Sequence, residues 1–275
     1  MKLRVAKPSE LDLILDWAAH EGWNPGVADA PAFHASDPYG VFVAEIASDP
    51  VAAISVVNHC DNMAFLGLYL CLPDYRGQGI GYALWTHALA HAGERVVGLD
   101  GVAEQQGNYA KSGFVPAGAS LRFQGSLTAA PDPTVRLATA RDLPELVALD
   151  RAANGYARPR FLSAWLAGQD SRKTVVLERA GACRGFATVR RCRTGVKIGP
   201  IIADDAVVAI TLARAALAVL AGDTVIIDVP SDNEPLVQAL ADLGFAETFA
   251  TARMYRGPAP VSGPNRQAIA TMELG

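Results

Sequence analysis

The segment YRGQGIGYALW, residues Tyr75–Trp85, places three alternating glycines between an arginine and an apolar run. The nearly all-apolar segment 63–72 precedes it, which is typical of a central strand that is buried on both faces. A strand, a glycine loop and a helix can together bind an anion, because the first helical turn has N–H groups without partners and glycines let the backbone approach phosphate oxygens. Arg76 adds a positive charge. The segment therefore indicates either a phosphate-binding loop or a plain tight turn.

Two common phosphate-binding motifs do not match this loop. Its glycines are spaced G-x-G-x-G rather than G-x-G-x-x-G, and no strand with an acidic residue follows at the distance typical of a dinucleotide-binding fold. The loop also lacks the G-K-S/T of a nucleotide P-loop. The identity of an anionic ligand therefore depends on what surrounds the loop.

The chain repeats itself once. The segment that begins at Val135 resembles the one that begins at Leu3, 132 residues earlier, and LADLGF ends at Phe245, 131 residues after YAKSGF ends at Phe114. One period near half the length indicates two copies of one domain rather than a solenoid. The proline-containing segment LTAAPDPTV marks the break between them. We expect an N-terminal domain over residues 1–130 and a C-terminal domain over 134–275.

Hydrophobic periodicity predicts the same element order in both halves: a strand, helices, three strands, a helix, a strand, a helix and a strand. This order is typical of an α/β fold in which a mixed central sheet is flanked by helices, present here twice. The tail AIATMEL, residues 268–274, is predicted as a final strand that could complete either sheet. The first copy lacks a last strand of its own, so we expect the two copies to share a sheet edge and not to separate cleanly.

Composition narrows the class of protein. Of 275 residues, 51% are hydrophobic and 19% charged, and the net charge is −4, which speaks against broad nucleic-acid binding. No apolar run approaches membrane-spanning length and the N-terminus lacks the apolar stretch of a signal peptide, so we expect a cytoplasmic protein without a membrane partner. The four cysteines form no C-x-x-C pair, and no glutamate follows His87 in its i, i+4 pair with His91; we expect no metal.

Two segments in order resemble the GNAT acyltransferase family. LCLPDYRGQGIGYALW matches the family's acetyl-CoA pyrophosphate motif through Arg76, Gly79 and Gly81. NYAKSGF matches the family's Tyr-x-Lys-x-Gly-Phe and begins this match at Tyr109. The full length, with EGWNPG early and MELG at the end, resembles a tandem-GNAT group with an active N-terminal copy and a degenerate C-terminal one.

The resemblance implies an acetyl-CoA site and a role for each matching residue. Tyr109 would act as the general acid that protonates the departing thiolate, and a backbone N–H near Leu70 would bind the developing oxyanion. The pantetheine arm would enter where strand LYLCL splays from RVVGL. The residues expected to bind the cofactor are Leu70, Leu72, Arg76, Gly77, Gln78, Gly79, Ile80, Gly81 and Asn108. One departure affects this set: the family's usual asparagine position holds Val102, and Asn108 adjoins the tyrosine instead.

The second copy departs from the motif more strongly. Its corresponding loop, KIGPIIADD, keeps only Gly199, and Asp204 and Asp205 stand where the helix begins. Two carboxylates cap a helix well but would repel a pyrophosphate. The segment LADLGF also lacks the tyrosine. We therefore expect one acetyl-CoA site, in the N-terminal half.

The expected reaction is acetyl transfer from acetyl-CoA to the amine of a small molecule. The resemblance does not identify that amine, because the loops that select the acceptor vary within the family. By resemblance, Trp23 and Asn24 would contact the acceptor, between the first helices and the second copy. The general base is open: Asp100, Glu104, His59 and Asp61 lie near predicted strand ends, and a water relay is equally compatible. Asp100 and Glu104 are also candidate acceptor contacts.

Two other functions stay open at this stage. A protein acetyltransferase acting on lysine or N-terminal amines would need an open groove, and a non-catalytic acyl-CoA sensor would not need Tyr109. The sequence is compatible with a monomer or a homodimer.

Overall fold

A computed structural model describes all residues, 1–275. The first copy follows the predicted order, with a second helix and several short 3₁₀ turns in its connections. Its elements are β1 (Lys2–Val5), α1 (Leu11–His20), α2 (Ala30–Ser36), β2 (Val41–Ile46), β3 (Asp49–Asn58), β4 (Met63–Cys71), α3 (Ile80–Leu89), β5 (Val96–Gly101), α4 (Gln106–Lys111) and β6 (Val115–Gly125).

The second copy repeats this order after an irregular connection. Its elements are β7 (Val135–Leu137), α5 (Leu143–Asn154), α6 (Pro159–Trp165), β8 (Arg172–Arg179), β9 (Ala182–Arg191), β10 (Val196–Ile202), α7 (Ala206–Val219), β11 (Val225–Pro230), α8 (Glu234–Asp242), β12 (Ala246–Arg256) and β13 (Arg266–Ala268). The predicted order of strands and helices is therefore present in both copies, except in the tail. The two halves are confirmed as mixed α/β folds of one kind.

All thirteen strands belong to one sheet, in the order β1-β2-β3-β4-β5-β12-β6-β11-β10-β9-β8-β7, with β13 beside β10. The two copies have exchanged strands in its middle: β12 lies between β5 and β6, and β6 lies between β12 and β11. Each copy therefore completes the sheet of the other. The predicted sharing is present, as reciprocal insertion rather than as contact between two edges.

Each of the two exchanged strands carries an arginine that pairs with an aspartate on the neighbouring strand of the other copy. Arg122 on β6 faces Asp228 on β11, with a bidentate contact of 2.7 and 2.8 Å. Arg253 on β12 faces Asp100 on β5, at 2.9 and 2.6 Å. All four residues are buried or nearly so, and each arginine comes from one copy while its aspartate comes from the other. Removing one partner of such a pair leaves an uncompensated buried charge, which costs about 3–5 kcal/mol.

The tail corrects one prediction. Only residues up to Ala268 pair as a strand, with β10, and the predicted strand 268–274 leaves the sheet at that point. The tail instead crosses the faces of β10 and β4 at two glycines. A Cβ on Gly199 would lie 2.1 Å from the carbonyl oxygen of Ile269, and one on Gly67 would lie 2.1 Å from that of Glu273. Gly199 follows Gly67 by 132 residues, so the tail uses equivalent positions of the two copies.

The helices also join the copies. One apolar cluster combines Phe33 of α2 with Phe161 and Trp165 of α6, and it includes Leu274 of the tail. Beside this cluster, an oxygen of the Asp29 carboxylate lies 2.6 Å from a guanidinium nitrogen of Arg172 in an ion pair. The same guanidinium lies 4.2 Å from the Trp165 ring centroid. None of the helices combines the length and the apolar character that a membrane crossing requires.

The exchange predicts that the first copy does not fold alone. A fragment of residues 1–130 would leave β6 without β12 and β11, and β5 without β12, exposing unpaired strand edges. We expect this fragment to be insoluble or to melt without cooperativity by circular dichroism. Co-expression with residues 131–275 serves as the control and should give a soluble complex. A soluble, cooperatively melting 1–130 fragment that binds acetyl-CoA would contradict the account.

Candidate active site

Strands β4 and β5 run parallel and then separate. Residues Met63–Leu66 pair with Val96–Leu99, but β4 continues to Cys71 without β5 beside it. At the point of separation Leu68 has a φ of +46°, and the β3–β4 register shifts there by one residue. This bulge turns the end of β4 away from β5, as a linear ligand inserted between the strands would require.

The glycine loop follows the separated end of β4. Gly77 and Gly79 have φ values of +74° and +78°, a left-handed conformation that favours glycine, and Gly79 immediately precedes the first turn of α3. A Cβ at either glycine would meet nothing within 4 Å, and neither backbone N–H donates a hydrogen bond within the chain. A larger residue at Gly81 would clash with Tyr69, because a Cβ there would lie 2.7 Å from the Tyr69 hydroxyl. Loop and helix together can bind an anion.

An outer cleft of about 840 Å³ extends from this loop into the gap between β4 and β5. Its volume lies within the usual range for small-molecule sites. The residues that line it are Glu21, Trp23, Tyr69, Leu70, Cys71, Tyr75, Arg76, Gly77, Gly79, Gly81, Tyr82, Val102, Ala103, Glu104, Gln105, Phe249 and Ala250. The open glycine backbone, the arginine and the apolar walls fit the phosphate and pantetheine portions of an acyl-CoA.

The side chains of the remaining predicted cofactor residues make contacts within the chain or lie outside the cleft. Arg76 lines the cleft, but its Nε donates to the Cys71 carbonyl and its guanidinium pairs with Glu21 at 2.5 Å. Gln78 is exposed and donates to the Asp74 carbonyl. Gln78 and three other expected residues do not line the cleft: the Ile80 side chain is buried in the core, the Leu72 N–H donates to the Val51 carbonyl, and the Asn108 side chain donates to that of Gln105.

Tyr109 stands where the outer cleft narrows into an inner pocket. Its ring is buried and stacks on Trp85, with ring centroids 5.3 Å apart and planes 13° from parallel. A Cβ on Gly101 would lie 2.7 Å from the ring, so this glycine makes room for it. Burial raises the pKa of the Tyr109 phenol well above its usual range. The hydroxyl therefore stays protonated at neutral pH and can donate.

The inner pocket, about 70 Å³, is built by both copies and the tail. At about 30 Å³ for each water molecule, this volume corresponds to roughly two of them. Its lining residues are Trp23, Leu66, Gly67, Leu68, Tyr69, Leu99, Asp100, Val102, Gln105, Tyr109, Arg122, Phe249, Thr251, Met272 and Glu273. Trp23, Tyr69 and Phe249 line the outer cleft as well, so the two spaces adjoin.

Sequence reasoning found Trp23 and missed most of this wall. The Trp23 carbonyl accepts from Arg122 at 3.1 Å and from the Lys197 ammonium at 3.0 Å, which holds the loop after α1 against both copies. Arg122, Phe249 and Glu273 reach the pocket only because β6, β12 and the tail cross between copies. The available signal was the run AIATMEL, where one carboxylate stands among apolar residues.

Asn24 does not line either space. Its φ is +53°, its side-chain amide donates to the Thr194 carbonyl, and its side-chain oxygen accepts from the Thr194 N–H. Both polar atoms are thus used to bind the β9–β10 turn of the second copy. The structure therefore gives Asn24 a positioning role beside Trp23 rather than the expected contact with an acceptor.

The four candidate bases are dispersed. Asp100 faces the inner pocket, but both of its oxygens are held by Arg253. Glu104 is exposed at the outer cleft. Asp61 lies in the β3–β4 hairpin, at the end of β4 opposite the glycine loop. His59 is buried against the tail, its Nε2 lies 2.8 Å from the Leu274 carbonyl oxygen, and burial lowers its pKa to about 4.

The histidine pair on α3 is occupied elsewhere. His91 Nε2 lies 2.7 Å from an oxygen of Asp37, and the His87 ring packs edge-on against Phe42. No cluster of three or more potential metal-ligating side chains occurs in the chain.

The second copy has filled its equivalent site. Asp205 caps α7 and its carboxylate accepts the Val208 N–H at 2.9 Å, which occupies the helix N-terminus. The tail carbonyl of Ile269 lies over Gly199, just as that of Glu273 lies over the equivalent Gly67 in the first copy. Asp205 at the helix N-terminus is therefore the difference between the copies that favours a single cofactor site, which stays a prediction.

Comparison with known proteins gives the same family for both halves. The profile of the acetyltransferase (GNAT) family matches residues 10–114, and that of an acetyltransferase (GNAT) domain matches residues 146–270. The holothin acyltransferase of a Pseudoalteromonas species is 36% identical over 278 residues, covering 98% of this chain and 94% of the relative.

Two solved structures share the fold. A Pyrococcus horikoshii protein superposes with a TM-score of 0.82 at 21% identity, covering all of this chain and 95% of its own. A tandem GNAT protein from the clavulanic acid biosynthesis pathway, solved without acetyl-CoA, has a TM-score of 0.63 at 17% identity and covers 94% and 99%. From these matches and the exchanged double fold, the chain belongs to the GNAT family as a tandem acyltransferase.

Proposed function

We propose that this enzyme transfers an acetyl group from acetyl-CoA to the primary amine of a small molecule, by direct attack in a ternary complex. The observation that carries the proposal is the position of Tyr109, whose ring lines the narrow inner pocket beyond the outer cleft and the open glycine loop. Donor and acceptor would then enter from different sides and meet beside one phenol.

The donor side is built for an elongated anion. The N–H groups of residues 77–81 would bind the pyrophosphate, since that of Arg76 already donates to the Pro73 carbonyl. The pantetheine arm would lie in the gap between β4 and β5 and would supply hydrogen-bonding groups where the two strands no longer pair. Bound acetyl-CoA supplies a thioester, whose thiolate leaves as the amide forms. Tyr109 would donate its proton to that sulfur.

The acceptor side favours a small molecule. The inner pocket is narrow and lies beneath Trp23, Phe249 and Met272, which come from three distant segments. A protein acetyltransferase would need an open groove in which a backbone could lie. The relative named for holothin also supports an acceptor other than a protein. A non-catalytic sensor would have no use for a buried phenol that makes no hydrogen bond within the chain.

The second copy would contribute no cofactor site of its own. Asp205 occupies the N-terminus of α7, while β12 places Phe249 and Thr251 in the inner pocket of the first copy. Its role would be to complete the sheet and to wall the acceptor pocket.

Substitution of Gly79 by Asp tests the pyrophosphate site. A side chain strains the left-handed backbone, and a carboxylate repels phosphate, so isothermal calorimetry should detect no acetyl-CoA binding. The matched control is Gly181→Asp in the β8–β9 turn, where φ is +75° and a Cβ likewise meets nothing within 4 Å. Tight binding to the Gly79→Asp variant would show that the pyrophosphate lies elsewhere.

Substitution of Tyr109 by Phe tests the general acid. We expect kcat to fall by about 10²–10⁴ while acetyl-CoA affinity stays near normal, because the ring keeps its stacking on Trp85 and only the proton donor is lost. The measurement is a thiol-release assay with a panel of primary amines, including holothin, and calorimetry for affinity. Tyr39→Phe, at an exposed ring outside the cleft, is the control. An unchanged kcat in Tyr109→Phe would exclude this role.

A further inference from the structure

Three charged side chains line the inner pocket, and two of them are neutralised by partners. Asp100 is paired with Arg253 and Arg122 with Asp228, each through two hydrogen bonds. Glu273 takes part in no ion pair within 4 Å. It is therefore the one lining residue whose charge a ligand could still compensate.

The tail holds this glutamate firmly. Glu273 is only 6% exposed, its Oε2 accepts a short hydrogen bond from the Thr271 hydroxyl, and its Oε1 accepts none within the chain. Its carbonyl sits on Gly67, and the next residue, Leu274, offers its own carbonyl to His59. The backbone is thus fixed on both sides of a carboxylate with one free oxygen.

The charged groups around Glu273 come from several strands. Three cations lie near it: Lys197 on β10, Arg122 on β6 and Arg190 on β9. The other titratable groups of the pocket are Asp100, Tyr69 and Tyr109. Burial raises the pKa of the Glu273 carboxyl, and the three cations oppose this rise without cancelling it. A carboxylate with a raised pKa is a better proton acceptor near neutral pH.

We propose that Glu273 binds the ammonium group of the acceptor and takes its proton, and that the acceptors are small apolar amines without a carboxylate. The inference rests on the proposed function, since it assigns the acceptor side of that site. It supplies the general base for which no residue was found among the sequence-based candidates.

The exclusion of carboxylates follows from the cations. Arg122 donates to both oxygens of Asp228, to the Trp23 carbonyl and to the Met272 sulfur, so four of its five guanidinium N–H groups are used and Asp228 balances its charge. Lys197 already donates to the Trp23 carbonyl and does not line the pocket. An amino-acid carboxylate would be desolvated there beside Glu273 and without an unpaired cation to compensate its charge, which is unfavourable. Trp23, Phe249 and Met272 suit an apolar body.

The proton balance is complete with these groups. The ammonium loses one proton to Glu273, and the free amine nitrogen attacks the thioester carbonyl carbon. A C–N bond forms, the C–S bond breaks, and Tyr109 gives its proton to the departing sulfur. The nitrogen's second proton restores the phenol, and Glu273 releases its proton to solvent. The net products are the amide, the free thiol and one proton.

The first test is Glu273→Gln, with Glu94→Gln as the control at an exposed turn far from the pocket. For isobutylamine and phenethylamine we expect kcat/KM to fall about 10²–10⁴-fold, with acetyl-CoA affinity unchanged. The wild-type kcat/KM should fall as pH drops through the pKa of Glu273, and this inflection should be missing in the variant. A pH profile that keeps its inflection in Glu273→Gln would overturn the assignment.

The second test compares each amine with the amino acid that differs from it only by a carboxylate: isobutylamine with valine, and phenethylamine with phenylalanine. We expect each amine to be acetylated at least about 10²-fold faster, as kcat/KM, than its amino acid. Equal rates, or a preference for the amino acids, would overturn the substrate class while leaving acetyl transfer intact. Absence of turnover with every amine, when acetyl-CoA still binds, would overturn the proposed function and this inference together.

Two glycine variants give an independent measurement. Gly67→Ala would push on the Glu273 carbonyl and Gly199→Ala on that of Ile269, each from 2.1 Å. Both should lower the melting temperature, but only Gly67→Ala should shift the pH inflection of the remaining activity. Identical pH profiles in the two variants would contradict the positioning of Glu273 by the tail at Gly67.

Discussion

The reciprocal pairs Arg122–Asp228 and Arg253–Asp100 are the contacts on which the rest of this protein depends. Each arginine lies on a strand that has entered the other copy's sheet, and each aspartate lies on the strand it meets there. Because all four charges are buried, no strand can withdraw without leaving a charge unpaired. The exchange is therefore stabilised by electrostatics as well as by backbone hydrogen bonds, and the two copies form one sheet.

This pairing also determines what the active site contains. Asp100 faces the inner pocket, yet its commitment to Arg253 removes it from acid–base chemistry. Arg122 faces the same pocket and is equally committed to Asp228. The tail then crosses the equivalent glycines Gly199 and Gly67, and at Gly67 it places Glu273 in the inner pocket. The second copy, with its tail, thus forms part of the wall of the inner pocket in the first copy.

The sequence predicted the local structure and the glycine loop, but four of the nine expected cofactor residues do not line the cleft: Leu72, Gln78, Ile80 and Asn108. Apolar periodicity located the strands and helices, and the left-handed glycines of residues 77–79 are a local backbone requirement that a motif can record. The acceptor side could not be found in this way, because Phe249, Thr251 and Glu273 reach the pocket through long-range strand exchange. Asn24 and the tail strand were misjudged for the same reason: their partners, Thr194 and the two glycines, belong to distant segments.

The central claim is that the two copies form one cooperative unit around a single acetyl-CoA site. Scanning calorimetry of the full chain, with and without saturating acetyl-CoA, tests it most directly. We predict one transition, with equal calorimetric and van't Hoff enthalpies, which moves as a whole to higher temperature when the ligand is added. Two resolved transitions, of which only one responds to acetyl-CoA, would contradict the account.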